Sequence, residues 1–435
     1  MRSVSYACST GASSMTWSKM RLSLCLLLIV SAAVADASPY DLGGHTKLRF
    51  VGATFPSDSV LRELTGSESL DLEGDLRLNF EASRGRWTFD SAYQLVGFYG
   101  DRVEYTRDLP PAADLLIRRF PEDDRRLFDL TKVMHDRDKE ALLHRLDRLW
   151  VGYTSEKAVA RFGRQAITWG NGLFYAPMDL VNPFDPATID TEYKAGDDML
   201  YLQYLQDNGN DVQAAVVVRR DPVNGDVESE QATASVKYHG FSGDSEYDVL
   251  VAEHYDDIVV GVGGTHSLGG AVLSGDLVFT DTAADSYWQL VANWTYSWTW
   301  GGRNVSGAAE YHFNGFGQKD GRYDPQSLAA NPDLLIRLAR GEMFTVGRHY
   351  FAGSLMIEMS PLWSVTPTML MNIADPSALL QVVTSLSLSD NVTFLGSLNL
   401  PFGANGSEFG GIESGTDGLY LSTGAGVFAQ IAWYF

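Results

Sequence analysis

The chain has 435 residues, 33 Lys+Arg against 55 Asp+Glu, a formal net charge of -22 and two cysteines. So acidic a balance argues against nucleic acid as a partner and against adhesion to anionic surfaces. Both cysteines, Cys8 and Cys25, lie in the first 37 residues, so a mature chain lacking these carries neither thiol nor disulfide.

That segment reads as a cleavable leader. Lys19 and Arg21 precede the apolar run Leu22 to Val30, and the small residues of SAAVADAS follow. The expectation is a signal peptide over residues 1–37, cut after Ala35 or Ala37, with Met20 as an alternative start. The run is too short to cross a bilayer as a helix, which takes roughly twenty residues. Removing 1–37 takes away Arg2, Lys19, Arg21 and Asp36 and leaves a net charge of -24.

From there the chain alternates. In SLDLEGDLRLNFEA (69–82), Leu70, Leu72, Leu76, Leu78 and Phe80 share one parity, while Asp71, Glu73, Asp75, Arg77 and Glu81 take the other. Period two means a strand with opposed faces. The segment 114–148 differs: Pro121 followed by Glu122, Asp123 and Asp124 opens a helix well. Leu127, Leu130, Met134, Leu142 and Leu143 would stripe that helix. It would fold over the pore mouth or, more simply, form a surface loop held by its own ion pairs. DLLIR recurs at 333–337 in a second helical-looking loop.

Next comes Arg161 to Tyr204, where Phe162 and Arg164 share a parity and Gly163 is placed to host a bulge that returns Arg164 inward. A long loop follows, punctuated by Pro177, Pro183 and Pro186 and by Asp179, Asp185, Asp190, Glu192, Asp197 and Asp198. Long ordered loops are usually functional. Strands resume at 211–219, 270–280 and 287–300, where Trp288, Trp294, Tyr296, Trp298 and Trp300 line one parity. Further runs cover 305–314, 379–389 and 392–400. The chain closes on VFAQIAWYF, again alternating, with Phe435 last.

Short links (82–86, 155–157, 207–210, 240–245, 300–303, 360–361, 389–391) trade places with long ones (100–143, 170–197, 316–343, 401–417). That asymmetry is the habit of outer-membrane barrels. The expected fold is an all-β, transmembrane, antiparallel up-and-down β-barrel over 38–435, a single domain with short helices in extracellular loops. The strand count is about eighteen; sixteen is the alternative, because Asp256-Asp257 is a doubtful loop. The Leu70 face then meets lipid and the Asp71 face an aqueous lumen. A soluble secreted sandwich would alternate too, but would hide its apolar parity in a core.

Two resemblances carry the reading further. A last strand ending on an aromatic resembles the assembly signature of Gram-negative outer-membrane barrels, which implies recognition of Phe435 by the barrel assembly machinery. GRQAITWG (163–170), NPFD (182–185) and EYKAGDDML (192–200) together resemble a group of proteobacterial porin-like outer-membrane proteins and, more distantly, the alginate-export and carbohydrate-selective porins. The match spans about forty residues and implies passive transport across the outer membrane, in contact with its lipid and lipopolysaccharide. It supplies no substrate, and no alginate-type basic ladder stands out.

Parity nominates the pore-lining and constriction residues: Asp71, Glu73, Asp75, Arg77, Arg148, Arg164, Arg219, Glu310, His312, Arg348 and Glu358 on strands, with Asp185, Asp190 and Glu192 in the long loop. Opposed acids and bases there would set up a transverse field, as in general diffusion porins; the plainer alternative is a solvated polar wall. Net charge suggests a mild cation preference, weakened by screening within about 8 Å. No catalytic constellation, cofactor motif or metal site is expected. HFNG (312–315) superficially resembles part of an outer-membrane phospholipase site but lacks its serine, and no HExxH, CxxC or GxSxG occurs. Asp197-Asp198 could hold calcium. No room precedes the first strand, near Lys47, for the plug of a TonB-dependent receptor or the hatch of a long-chain fatty-acid channel. The expected function is passive diffusion of small hydrophilic solutes, sugars or carboxylates; the alternatives are a loop-plugged barrel with an adhesive or structural role and, less favoured, a membrane-embedded hydrolase.

Overall fold

The computed structural model describes residues 40–109, 117 and 119–435. The leader expected over 1–37 and most of the first DLLIR (114–118) lie outside the described residues. In chain order the strands are β1 (Tyr40–Thr54), β2 (Glu68–Arg84), β3 (Trp87–Gly100), β4 (Thr131–Arg137), β5 (Glu140–Thr154), β6 (Ala158–Gln165) and β7 (Asp197–Leu205). Then come β8 (Asp211–Val217), β9 (Thr233–Ser242), β10 (Ser245–His254), β11 (Asp257–Leu268), β12 (Ala271–Asp281), β13 (Ser286–Trp300) and β14 (Arg303–Asn314). The last are β15 (His349–Ser360), β16 (Trp363–Asn372), β17 (Ser377–Ser389), β18 (Val392–Phe402), the short pair β19 (Ile412–Glu413) and β20 (Tyr420–Leu421), and β21 (Gly426–Tyr434).

Neighbours in sequence pair antiparallel, β3 pairs with β5, β18 with β21, and β21 returns to β1. Eighteen strands thereby close a barrel. β4 stands outside the ring: β6 ends opposite Leu149, and β4 continues the wall along Glu140 to Arg145 of β5. β1 begins at Tyr40, earlier than the strand expected near Lys47, because the alternation of HTKLRF extends back through YDLGG in register with β2.

The turns explain the strand count. Tyr255 (φ 51°) and Asp256 (φ 71°) form a two-residue turn between β10 and β11, both in the left-handed region that a type I′ hairpin demands. The doubtful loop is therefore a hairpin, and the count is the expected eighteen, not the alternative sixteen. Gly301 and Gly302 (φ 59° and 76°) do the same between β13 and β14. Eight short turns share one end of the barrel with Tyr40 and Tyr434, and the long connections share the other. Helices occur only in the latter: α1 (Val60–Thr65), α2 (Asp101–Tyr105), α3 (Pro325–Ala329) and α4 (Pro332–Arg340). Among the described residues none is long and apolar enough to cross a membrane.

The helix expected from Pro121 does not form. Asp123, which would serve its first turn, instead accepts from Leu130 N (2.9 Å) and from the guanidinium groups of Arg126 and Arg164, and the chain runs on as β4. Burial opposes the charge, yet Arg126 and Arg164 hold the Asp123 pKa down at about 2.

The outer face is oil. Leu70 is 54% exposed and Trp300 66%, while Arg77 on the opposite parity of β2 is 2% exposed. Trp294, Tyr296 and Trp298 stack in sequence along β13, centroids 5.9 and 6.0 Å apart. Such a surface is stable only against lipid.

The inner face is not uniformly polar, as the lumen was expected to be. Met199 and Tyr201 (β7), Ala215 and Val217 (β8), Leu250 and Ala252 (β10), Val259 (β11) and Val278 (β12) point inward and bury Trp169, Met178 and Val181 of the loop 166–196. Each large side chain so buried contributes roughly 1.5–3 kcal/mol. A second inner cluster joins Tyr175 to Tyr350, Ala352 and Leu370. The loop 166–196 thus lies inside the barrel, glued to two arcs of its wall.

Candidate permeation site

Backbone and side-chain contacts fix this inner loop at several heights. Asp276 on β12 accepts from the amide and side chain of Asn171, both at 2.7 Å, and Asn293 on β13 donates to Asn171 O (2.8 Å). Glu310 on β14 accepts three successive backbone N–H groups, from Leu173 (2.6 Å), Phe174 (3.0 Å) and Tyr175 (2.8 Å). Gln381 on β17 donates to Ala187 O (2.9 Å). Lys194 folds back on Asp179 (2.6 Å) and Ile167 O (2.5 Å), tying the loop's two limbs together.

A cavity of about 900 Å³ lies between the loop, the β1 to β5 wall and the long connections that carry Arg219 and Arg340. Nine arginines line it against eight carboxylates, although over the whole chain acids outnumber bases 55 to 33. Arg145 is 5% exposed and its Nε, like those of Arg119 and Arg340, has no hydrogen-bond partner. Burial pulls the Arg340 pKa down, with Arg337 and Arg125 adding to it and Glu342 opposing. Arg340 and Arg219 face the ring of Tyr255 at 3.8 and 4.7 Å.

The residues nominated by parity divide into two groups. Asp71, Glu73, Arg77, Asp185, Asp190 and Arg219 border the cavity. Asp71 accepts from Arg102 N (2.8 Å) at the long-loop rim, Glu73 pairs with Arg49, and Arg77 pairs with Asp147 (2.8 Å). Asp185 accepts from Ala187 N (2.8 Å) and Arg219 pairs with Asp197 (3.1 Å). The others do not border it. Asp75 is buried beside His45 (3.7 Å) and Arg49 (3.6 Å), Arg148 bonds Asp147 (2.7 Å) and Lys194 O (2.6 Å), and Glu192 pairs with Lys47 (2.7 Å). Glu310 is the loop clamp. His312 stacks on Tyr175 (4.8 Å) with Nδ1 donating to Leu290 O (3.3 Å). Arg348 donates to Gly315 O and Gly317 O, steadying the long connection after β14. Glu358 is exposed near the short-turn end, where Asn304 donates to it (2.7 Å).

Arg164 has no exposed surface and lies between Asp123 (2.7 Å) and Asp198 (2.9 Å). Gly163 makes this geometry: its φ of 122° turns Arg164 inward although Phe162, two residues earlier, faces out. The pairing of β6 with β5 keeps register there; the extra residue is Asp147 of β5, which puts Asp147 and Arg148 both inside. Asp197 and Asp198, candidates for calcium, are thus occupied by Arg219 and Arg164. Lys47, Arg49 and Tyr193, which hold the loop's far limb, are not among the residues nominated by parity. Their signal was present, since His45, Lys47 and Arg49 share a parity opposite Leu48 and Phe50.

No family model matches this chain, and no curated protein matches it by sequence. Solved structures match over nearly the whole length. OccK5 (OpdH) of Pseudomonas aeruginosa superposes with a TM-score of 0.53 at 10% identity, covering 91% of this chain and 97% of that one. The fold is that of outer-membrane porins. OccAB4 of Acinetobacter baumannii gives 0.52 at 7% identity (92% and 98% covered), and Wzi of Escherichia coli, titled a carbohydrate-binding β-barrel involved in capsule assembly, gives 0.50 at 10% (95% and 86%). At such identities the likeness is one of porin-type fold.

Proposed function

We propose that this porin-type barrel is a passive channel of the outer membrane for small hydrophilic solutes, with small carboxylates preferred over neutral sugars. The observation that carries the reading is the arginine-rich cavity left beside the inner loop. Guanidinium groups bind carboxylates in a fixed fork, and nine arginines against eight carboxylates make this lining far less acidic than the chain as a whole, whose distant loop charges are screened. This replaces the mild cation preference that net charge suggests. By the rule for such barrels the short-turn end is periplasmic and the long-loop end extracellular, with lipopolysaccharide against the outer belt.

The test is swelling of proteoliposomes in isosmotic sodium succinate or glucose. Swelling well above that of empty liposomes, faster in succinate, is the expected result. Folded protein that admits neither solute would refute the channel and favour the second reading, a loop-plugged barrel that binds at its mouth, which the extent of the lumen filled by residues 166–196 supports.

A further inference from the structure

The inner loop is fastened in two chemically different ways. Upstream, between Trp169 and Tyr175, it is held by a buried apolar cluster and by backbone N–H groups on Glu310. At residues 190–193, among the described residues, the hydrogen bonds and ion pairs to the wall run through side chains.

Those side chains sit at the periplasmic limit of the cavity. His45 lies opposite Arg77 on β2 and opposite Tyr434 on β21, which places all three at one height in the short-turn half. Tyr193 packs on Arg77 (4.1 Å to the ring) and on His45 (centroids 5.3 Å). Just above, the ammonium of Lys47, 1% exposed, is shared by Asp190 (2.6 Å) and Glu192 (2.7 Å). Asp190 Oδ2 also takes Arg49 (3.0 Å), and Glu192 accepts from the Tyr434 hydroxyl (2.8 Å).

We propose that residues 190–193 form a displaceable floor of the cavity, kept in place by the protein's own carboxylates on Lys47 and Arg49 and released when a small solute carboxylate takes their place. The inference rests on the channel reading and adds its regulation. An ammonium stripped of its counter-ions at this depth is costly, so release is favoured when another acceptor arrives. An incoming carboxylate offers the same oxygens to Lys47 and Arg49 that Asp190 does, which chloride does not. The arginines above deliver such ions to the floor. A ligand shifts such an equilibrium only by its differential affinity for the two states, and here the released state alone exposes Lys47 to solute.

The experiment is planar-bilayer recording of the full chain in sodium chloride and in sodium succinate of equal ionic strength, beside Asp190→Asn/Glu192→Gln and Tyr193→Ala. Folding of each is checked by heat-modifiable gel migration. Expected is an open probability about tenfold higher for the unaltered protein in succinate. The double variant should open in chloride and lose its dependence on succinate. Tyr193→Ala, which leaves the charges in place, should open more often in both salts while keeping the dependence. Equal open probability of the unaltered protein in the two salts overturns the floor and leaves the channel standing. Absence of current from all three folded proteins in either salt overturns the channel reading itself.

Discussion

Replacing Glu310 by alanine should free the inner loop at Leu173 to Tyr175 without unfolding the barrel. The carboxylate accepts three backbone N–H groups at 2.6, 3.0 and 2.8 Å. Bonds to a charged acceptor contribute about 1.5–3 kcal/mol each. With the lower figure, and allowing for non-additivity, losing all three costs the docked loop about 3–4 kcal/mol. That is two to three powers of ten in the docked-to-released ratio, at about 1.4 kcal/mol per tenfold. Asp276 and the cluster around Trp169 and Met178 remain, so release is local. Amide hydrogen exchange in detergent micelles reads it directly: protection at residues 173–175 should fall about a hundredfold or more, while β13 and β15 are unchanged. Glu310→Gln should fall between, since its one oxygen can still accept from Phe174 and Tyr175 while its amide nitrogen faces Leu173 N–H. Unchanged protection at 173–175 in Glu310→Ala would refute the clamp.

Three further outcomes are expected. Arg164→Met leaves Asp198 buried without its cation and Asp123 with Arg126 alone, which should destabilise the barrel by about 3–5 kcal/mol and lower its unfolding midpoint in urea. Gly163→Ala places a Cβ 2.2 Å from Leu149 O on a backbone with φ 122°, so the yield of heat-modifiable folded protein should drop sharply, with alanine at the unobstructed Gly74 as the tolerated control. Glu408 accepts from Val346 N (3.0 Å), Tyr350 (2.7 Å) and Asn372 (2.7 Å), with Tyr323 and Asp375 close by, and burial pushes its pKa up to about 7. The native state therefore holds a proton between about pH 4.5 and 7 that the unfolded chain has lost, so its contribution to stability declines as pH rises through that window. Glu408→Gln should flatten that part of the stability profile, a change of up to about 3 kcal/mol measured by urea unfolding at pH 4.5 and 7.5.

The barrel is legible because lipid on one side and charge on the other impose a strict period of two, as at Leu70 to Phe80 and along the tryptophans of β13. The hairpin at Tyr255-Asp256 is harder to read, since neither residue advertises a left-handed turn as a glycine pair does. The site is less legible still. Parity says that Glu310 points inward but not that a loop more than a hundred residues away delivers three N–H groups to it. Arg164 looks like a pore lining because burial between Asp123 and Asp198 depends on where two separate connections fold. At 121–137, local helix signals lost to the tertiary demand for a strand beside the exposed edge of β5.

The apolar inner patch that β7, β8 and β10 to β12 contribute has a consequence for pore width. Along β8, Ala215 and Val217 face the loop while Val216 faces lipid; along β10, Leu250 and Ala252 face inward while Val249 and Val251 face out. These strands are greasy on both sides, as in a sheet buried between two layers, and their sequences run nearly continuous rather than alternating. Strand number therefore sets the circumference of the cylinder but not the size of its bore. Excising the loop would not yield a uniformly wet tube; it would bare an apolar patch between the polar clamps, which the protein would tend to heal by collapse or by association with other chains.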